Sequence, residues 1–328
     1  MAKKKVFVSR QIPGDAIKLL KIFFEVKVYP KDEKIPRKEL LKGVKWCDAL
    51  LCILTEKIDK EVIDANPNLK VISNYAVGYN NIDVEYATKK GIPVCNTPSQ
   101  QVVDAVAEHT FTLLLSLAKR LHEDEIYVRK HKWKSWAPKL LLGVQVKGKT
   151  LGIVGLGRIG SGVAERARCM DMKVLYYDVR RDKNFEKKFK AKKVSLNTLL
   201  KQADFVTLHV PLLPSTKHLI GAKELKLMKQ TAYLINTSRG AVVDEKALTK
   251  ALQKKQIAGA GLDVHETEPS KNHPLHKLNN CILTPHTASA TVEVRQQMSL
   301  DAAQSIIAIL KGKRSKKTVN PEVYTKKN

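Results

Sequence analysis

The chain has 328 residues, 43% of them hydrophobic, enough for two domains with cores of their own. Lysine and arginine number 59 against 32 aspartates and glutamates, a formal charge of +27, but no helix-turn-helix, zinc-finger or RNA-binding signature accompanies them, so a lysine-rich solvated surface is expected and no specific nucleic acid. No apolar run reaches the length of a membrane span, and five scattered cysteines (Cys47, Cys52, Cys95, Cys169 and Cys281) without a Cys-x-x-Cys pair point to reduced thiols in the cytoplasm.

The N-terminal sequence enters a strand at once, Lys5–Ser9, and lacks the apolar core of a signal peptide. Behind Pro13 and Gly14 the spacing predicts a helix over Ala16–Ile22, then a strand over Glu25–Tyr29 ended by Pro30. A helix starting at Arg37–Leu41, a strand at Ala49–Leu54, a helix at Asp59–Ala65 and a strand at Leu69–Asn74 follow. Asp83–Lys90 reads as a helix stopped by Gly91, and Pro93–Asn96 as a short strand. Such repeated β-α units imply a parallel sheet covered on both faces. No glycine-rich turn follows the first strand, so this block is not assigned a nucleotide. A long apolar helix, Val102–Arg120, leads out of it.

Thr150–Val154 is a short apolar run suited to a buried parallel strand, and Gly155, Gly157 and Gly160 follow it at Gly-x-Gly-x-x-Gly spacing. The first glycine allows a tight turn, the second a close approach to a pyrophosphate, the third close packing of helix on strand. A helix over 158–170, opened by Arg158 and Ile159, presents free N–H groups to an anion. Val174–Tyr177 is the next strand, and Asp178 at its end can grip a ribose 2′-hydroxyl. Strand, helix, strand and terminal acid in register make this a dinucleotide-binding unit. Strands at Asp204–Val210, Ala232–Asn236, Gly259–Val264 and Cys281–Thr284 extend it. A second long helix, Thr291–Leu310, returns the chain to the first block, and the basic tail from Lys311 is expected to be loosely held.

Ligands of open α/β sheets bind beyond the carboxyl ends of the strands. Three residues lie there with complementary chemistry: Arg239 after Leu234-Ile235-Asn236, Glu268 after Leu262-Asp263-Val264, and His286 after Ile282-Leu283-Thr284. Together they supply a cation for a carboxylate or carbonyl, an acid to orient a histidine, and a proton donor. His265, His273 and His276 have their spacing broken by Pro269 and Pro274, so no metal site is expected. Trp133 and Trp136 suit a loop or dimer surface, and Glu108 and His109 suit interdomain hydrogen bonding.

These motifs, in this order, resemble the D-isomer-specific 2-hydroxyacid dehydrogenases over essentially the whole chain: Gly155-Leu156-Gly157-Arg158-Ile159-Gly160 with Asp178, Asn236-Thr237-Ser238-Arg239-Gly240, Glu268-Pro269 and Thr284-Pro285-His286. Val77-Gly78-Tyr79-Asn80-Asn81-Ile82-Asp83, Asn96-Thr97-Pro98 and Val106-Ala107-Glu108 match as well. Within the family the chain is most similar to glyoxylate/hydroxypyruvate reductases, notably in Asn74-Tyr75-Ala76-Val77-Gly78 and Trp136-Ala137-Pro138-Lys139. The resemblance implies two doubly wound parallel-sheet α/β domains, a Rossmann NAD-binding domain (residues 102–287) inserted into a flavodoxin-like substrate domain (1–101 and 288–328).

It further implies reduction of a small 2-oxo acid, with His286 as proton donor, Glu268 raising its pKa, and Arg239 on the carboxylate and carbonyl. Backbone N–H groups of Val77 and Gly78 complete the carboxylate pocket. Asp263 binds the nicotinamide carboxamide, and Thr237, Ser238, Ala288 and the His209-Val210-Pro211 loop line the cofactor. Asp178 favours NAD(H), while Arg180 and Arg181 are able to receive the 2′-phosphate of NADP(H). The stretch Leu51-Cys52-Ile53-Leu54-Thr55 carries no cation to read a substrate phosphate, so glyoxylate or hydroxypyruvate fits best. A homodimer is implied through the nucleotide domain. The alternatives are an NAD(H)-sensing scaffold or co-repressor on the same fold, a dehydrogenase of another D-2-hydroxy acid, and a polyanion-binding protein.

Overall fold

The computed structural model describes residues 3–325, which form two compact units, one of residues up to Val102 and from Ala290 on, the other Val103–Ser289. In the first, the elements are β1 (Lys5–Val8), α1 (Ala16–Phe23), β2 (Glu25–Val28), α2 (Arg37–Trp46), β3 (Ala49–Ile53), α3 (Lys60–Asp64), β4 (Val71–Tyr75), α4 (Val84–Lys89) and β5 (Val94–Cys95). The five strands are all parallel, in the order β2-β1-β3-β4-β5, the flavodoxin-like arrangement. All of β4 and all but the last residue of β3 are buried, because helices cover both faces of the sheet. Asp59 and Asp83 accept hydrogen bonds from the Val62 and Tyr86 N–H groups, so α3 and α4 begin one residue after these caps.

The chain passes to the second unit within α5 (Gln100–Ala118) and continues through α6 (Leu121–Arg129), which has no buried residue. There follow β6 (Thr150–Val154), α7 (Arg158–Cys169), β7 (Lys173–Tyr177), α8 (Lys183–Phe189), β8 (Lys192–Lys193), α9 (Leu196–Gln202), β9 (Phe205–Leu208) and α10 (Ala222–Leu227). The unit ends with β10 (Tyr233–Asn236), α11 (Glu245–Gln253), β11 (Gly259–Leu262) and β12 (Cys281–Leu283). Its seven strands are parallel, in the order β12-β11-β10-β9-β6-β7-β8. The order reverses between β6 and β9, which opens a crevice at their carboxyl ends. One face of the sheet is closed by a core around Leu208, Leu234, Leu248 and Leu252, the other by Phe111, Leu114, Ile153, Val163 and Tyr176.

The helix α12 (Val292–Leu310), capped by Thr291, returns to the first unit and packs on α1 and β4, where Ser73 Oγ donates to the Ala302 carbonyl at 3.1 Å. The described part of the tail beyond it is tied to the first unit by hydrogen bonds, contrary to the expectation of a loosely held tail. Val319 N donates to the Val94 carbonyl (2.8 Å), Asn96 N to the Lys317 carbonyl (3.2 Å), and Val94 N to the Asn320 side chain (2.8 Å). The β5 edge would otherwise leave backbone groups unpaired, and the tail satisfies them. The last three residues of the tail lie outside the described residues. Among the described residues no helix is long and apolar enough to cross a membrane.

Candidate active site

The glycine turn after β6 has the geometry its spacing demands. Gly155 sits at φ +96°, and a side chain there would meet the His209 backbone at 2.8 Å. A Cβ on Gly160 would lie 2.2 Å from the Gly155 carbonyl, so α7 is seated directly on the turn. Gly157, by contrast, faces space with no atom within 4 Å, at an α7 N-terminus that no side chain caps. Arg158 and Ile159 form the first turn of that helix. Exposed N–H groups behind a glycine with nothing in front of it are a cradle for a pyrophosphate, so the residues present fit a dinucleotide.

At the end of β7, Asp178 accepts from Leu156 N (2.7 Å) and Arg180 N (3.0 Å). With Arg180 and Arg181 it lines a cavity of about 590 Å³. The two arginines are not equivalent. Arg181 is held by Glu186 through Nε (2.9 Å) and Nη2 (2.9 Å), and Tyr176 donates to the same carboxylate at 2.8 Å. From β9, His209 and Val210 abut Gly155, with Pro211 following. Both His209 ring nitrogens are buried without a partner among the described residues, and burial pushes the ring pKa down to about 3.

The catalytic candidates converge because β10, β11 and β12 are neighbours in register, Asn236 beside Leu262 and Leu262 beside Leu283. The ladder runs on past the strands: Asp263 N donates to the Asn236 carbonyl (2.9 Å) and His286 N to the Asp263 carbonyl (2.8 Å). His286 Nδ1 lies 2.8 Å from Glu268 Oε2, and the two side chains are 30% and 32% exposed, open to a substrate. Burial works to raise the Glu268 pKa, but the hydrogen bond and charge of His286 outweigh it and hold the carboxyl below its ordinary value. An ionised Glu268 fixes the proton on Nδ1 and leaves Nε2 to exchange with solvent or substrate. Arg239 stands close enough to feel the Glu268 charge, which opposes the lowering of its pKa by burial. Its Nη1 donates to the Ser238 carbonyl at 2.7 Å.

His286 adopts φ +58°, a left-handed conformation that costs a non-glycine residue energy and so must be imposed by its surroundings. Asp263 imposes it. This fully buried carboxylate accepts from Thr284 Oγ1 (2.6 Å), Thr287 N (2.8 Å) and Ala288 N (2.8 Å), fixing the loop on both sides of the histidine. Burial disfavours its charge, yet hydrogen bonds from His109, Thr284, Thr287 and Ala288 win, and its pKa is lowered. Both oxygens are thus engaged within the loop. Ala288, expected beside the cofactor, is buried in that same loop.

His109 and Glu108, expected to bond between domains, have partners inside the second unit. His109 Nε2 lies 3.1 Å from Thr284 Oγ1 and 3.4 Å from Asp263 Oδ1, and Glu108 accepts from Arg166 (3.0 Å), all within the second unit. Thr237 and Ser238 are fixed from behind: Thr237 Oγ1 pairs with Thr110 Oγ1 (2.9 Å), and the buried Asn236 side chain accepts from Ser238 and donates to the Arg239 carbonyl. His265 donates its N–H to Glu268 (3.1 Å), its ring approaches the Thr284 carbonyl (3.2 Å), and Glu245 raises its pKa. Asn236, Thr110, Thr284 and His265 thus support the site from behind, and in the sequence only Thr110 and Asn236, polar residues set in apolar runs, hint at this.

Of the three histidines weighed as metal ligands, His265 and His273 face Glu245, and His276 lies 3.1 Å from Ser270 Oγ. Among the described residues no group of three or more histidine, cysteine or acidic side chains is arranged to hold a metal. Val77 and Gly78 lie half-buried in the loop after β4 of the first unit.

Residues 111–288 match the family model of the D-isomer specific 2-hydroxyacid dehydrogenase NAD binding domain. The chain is 50% identical over 327 residues to the glyoxylate reductase of Thermococcus litoralis, covering 98% of each. Its fold is similar to that of the TT0316 protein from Thermus thermophilus, at 41% identity and a TM-score of 0.91 over 96% of this chain and 99% of that one. It is also similar to a glyoxylate reductase from Paecilomyes thermophila, at 32% identity and a TM-score of 0.87 over 98% of this chain and 100% of that one. With a paired histidine and glutamate, an adjoining arginine and a dinucleotide turn on one sheet edge, the chain belongs to the D-isomer-specific 2-hydroxyacid dehydrogenases and is an NAD-dependent oxidoreductase.

Proposed function

We propose that the protein reduces glyoxylate or hydroxypyruvate to the corresponding 2-hydroxy acid, with NADH preferred to NADPH. The observation that carries this is the 2.8 Å contact of His286 with an ionised Glu268 beside Arg239. The reduced nicotinamide, when bound, supplies a hydride to the carbonyl carbon. His286 gives its Nε2 proton to the carbonyl oxygen while Glu268 holds Nδ1 and stabilises the ring's charge before transfer. Arg239 holds a carboxylate and polarises the carbonyl, and the Val77 and Gly78 N–H groups offer donors to a substrate carboxylate.

Gly155, Gly157 and Gly160 and the first turn of α7 would hold the cofactor. The His209-Val210-Pro211 loop, Thr237 and Ser238 would line it. Asp178 grips the adenosine ribose and disfavours a 2′-phosphate. Arg181 is committed to Glu186, which leaves Arg180 and Lys183 as the cations lining that pocket, opposite the Asp178 carboxylate that supports the NADH preference. The relatives named glyoxylate reductase support the substrate.

The homodimer forms through α6 and the segment after it. Leu121, Val128, Trp133, Trp136 (81% exposed) and Leu142 are exposed apolar side chains there that a second copy would cover. The test is NADH and NADPH oxidation with a panel of 2-oxo acids, alongside light scattering for mass. No turnover of glyoxylate or hydroxypyruvate would overturn the substrate reading, a clear NADPH preference the cofactor reading, and a monomer the assembly.

A further inference from the structure

The loop after β4 carries a feature in its carbonyls. The Ala76 carbonyl accepts from Thr97 N (3.0 Å), the Val77 carbonyl from Asn96 Nδ2 (2.7 Å), and the Gly78 carbonyl from Asn74 Nδ2 (2.9 Å). Three successive peptide oxygens are therefore tied to the body of the first unit. In a planar trans peptide the N–H points opposite to the C=O, so the N–H groups of Val77, Gly78 and Tyr79 must face away from those donors. None of the three donates to another described residue. Unpaired backbone N–H groups on consecutive residues are a recognised way to hold an anion.

The tying side chains are themselves fixed. Asn74 is fully buried, and its Nδ2 also reaches Asn81 Oδ1 at 3.2 Å. Asn81 in turn donates to the carbonyls of Ile53 (3.2 Å) and Glu56 (3.1 Å). Asn96 is 8% exposed and anchored by its own N–H on the Lys317 carbonyl.

We infer that Asn96 and Asn74 are positioning residues that turn the Val77–Tyr79 N–H groups outward to receive the substrate carboxylate, with Tyr79 N as a third donor. This rests on the carboxylate role of Val77 and Gly78 given above. Neither asparagine touches substrate. Each acts through a peptide plane, by supplying a donor where an acceptor of the same shape would push the carbonyl away.

Asn96→Asp makes that exchange with almost no change of shape. The readouts are KM and kcat for glyoxylate, inhibition by oxamate (a non-reducible 2-oxo acid mimic), NADH affinity by fluorescence, and thermal unfolding. Expected is a rise of about tenfold in KM and in the oxamate inhibition constant, with kcat and NADH affinity within about twofold and unfolding unmoved. Asn96→Ala, read in the same way, should show a smaller rise, and it serves if the aspartate variant does not fold. Unchanged KM and oxamate inhibition, or a parallel loss of NADH affinity, would overturn the inference. A wild-type protein that neither reduces glyoxylate nor binds oxamate would instead sink the functional reading beneath it.

Discussion

The two halves of the second sheet present ligand-binding groups by different means. At the ends of β10, β11 and β12 the groups are charged side chains, Arg239, Glu268 and His286, each fixed by a partner. At the ends of β6, β7 and β9 they are backbone: a glycine turn, a helix N-terminus, and an aspartate whose oxygens already accept from two N–H groups. On the proposed function the first half moves a proton and the second holds the cofactor still. The difference predicts that binding and turnover separate cleanly. His286→Ala should lower turnover on the order of 10³-fold, and Arg239→Lys nearly as much because an ammonium cannot grip a carboxylate bidentately. NADH affinity should stay near wild type in both, by fluorescence titration. Near-normal turnover in either would remove that residue from the chemistry, and lost NADH binding would merge the two halves.

The mirror experiment uses two glycines three residues apart. A Cβ on Gly157 meets nothing within 4 Å at an ordinary φ of −83°, so Gly157→Ala should fold normally and weaken NADH binding about tenfold or more by occupying the space kept for the pyrophosphate. A Cβ on Gly160 meets the Gly155 carbonyl at 2.2 Å, so Gly160→Ala should lower the unfolding temperature as well. Equal NADH affinity in Gly157→Ala and wild type would show that the open face is not where the dinucleotide lies.

His209 belongs to the binding half and is titratable, yet burial makes it behave as an uncharged ring. Its folded pKa, about 3, lies below the ordinary value of 6.5. Between those values the unfolded chain binds a proton that the folded one refuses, so stability falls as pH drops from 6.5 towards 3. The slope from this one group approaches about 1.4 kcal/mol per pH unit. His209→Phe keeps an apolar ring without the titration and should flatten the acid side of the curve, measured by chemical unfolding of the cofactor-free protein from about pH 7 to about pH 4. Parallel curves for the two proteins would place the acid sensitivity elsewhere.

The charged half was legible in the sequence, because Arg239, Glu268 and His286 each follow an apolar strand at a distance that a parallel sheet converts into proximity. The glycine turn was legible for the same reason. Less legible was what holds these groups. Asp263 reads in sequence as a contact for the nicotinamide carboxamide, but only the fold shows its carboxylate bonded to both sides of the His286 loop, where His286 adopts φ +58°. Helices α8 to α11 were not anticipated, since short helices of seven or so residues carry too few turns for their periodicity to stand out. The tail beyond Lys311 looked loose because its lysines are plain in sequence, whereas the unpaired β5 edge it satisfies is a property of the sheet.

The smallest expected effect tests whether the binding half excludes a phosphate. Arg180 and Arg181 both follow Asp178, but Glu186 grips Arg181 with two hydrogen bonds and is itself braced by the Tyr176 hydroxyl. The Glu186 carboxyl lies below its ordinary value, first through the Arg181 hydrogen bond and then that of Tyr176. Glu186→Gln keeps an acceptor for Tyr176 while weakening the hold on Arg181, which then has charge to offer the neighbouring cavity. Exposed ion pairs are weak, so the gain should be modest: about a threefold rise in kcat/KM for NADPH relative to NADH, shrinking as salt is added. Combining it with Asp178→Asn should enlarge the gain, because the repelling carboxylate is gone as well. If the NADPH to NADH ratio stays fixed in both proteins, the cofactor preference is set by shape at the glycine turn rather than by charge at the end of β7.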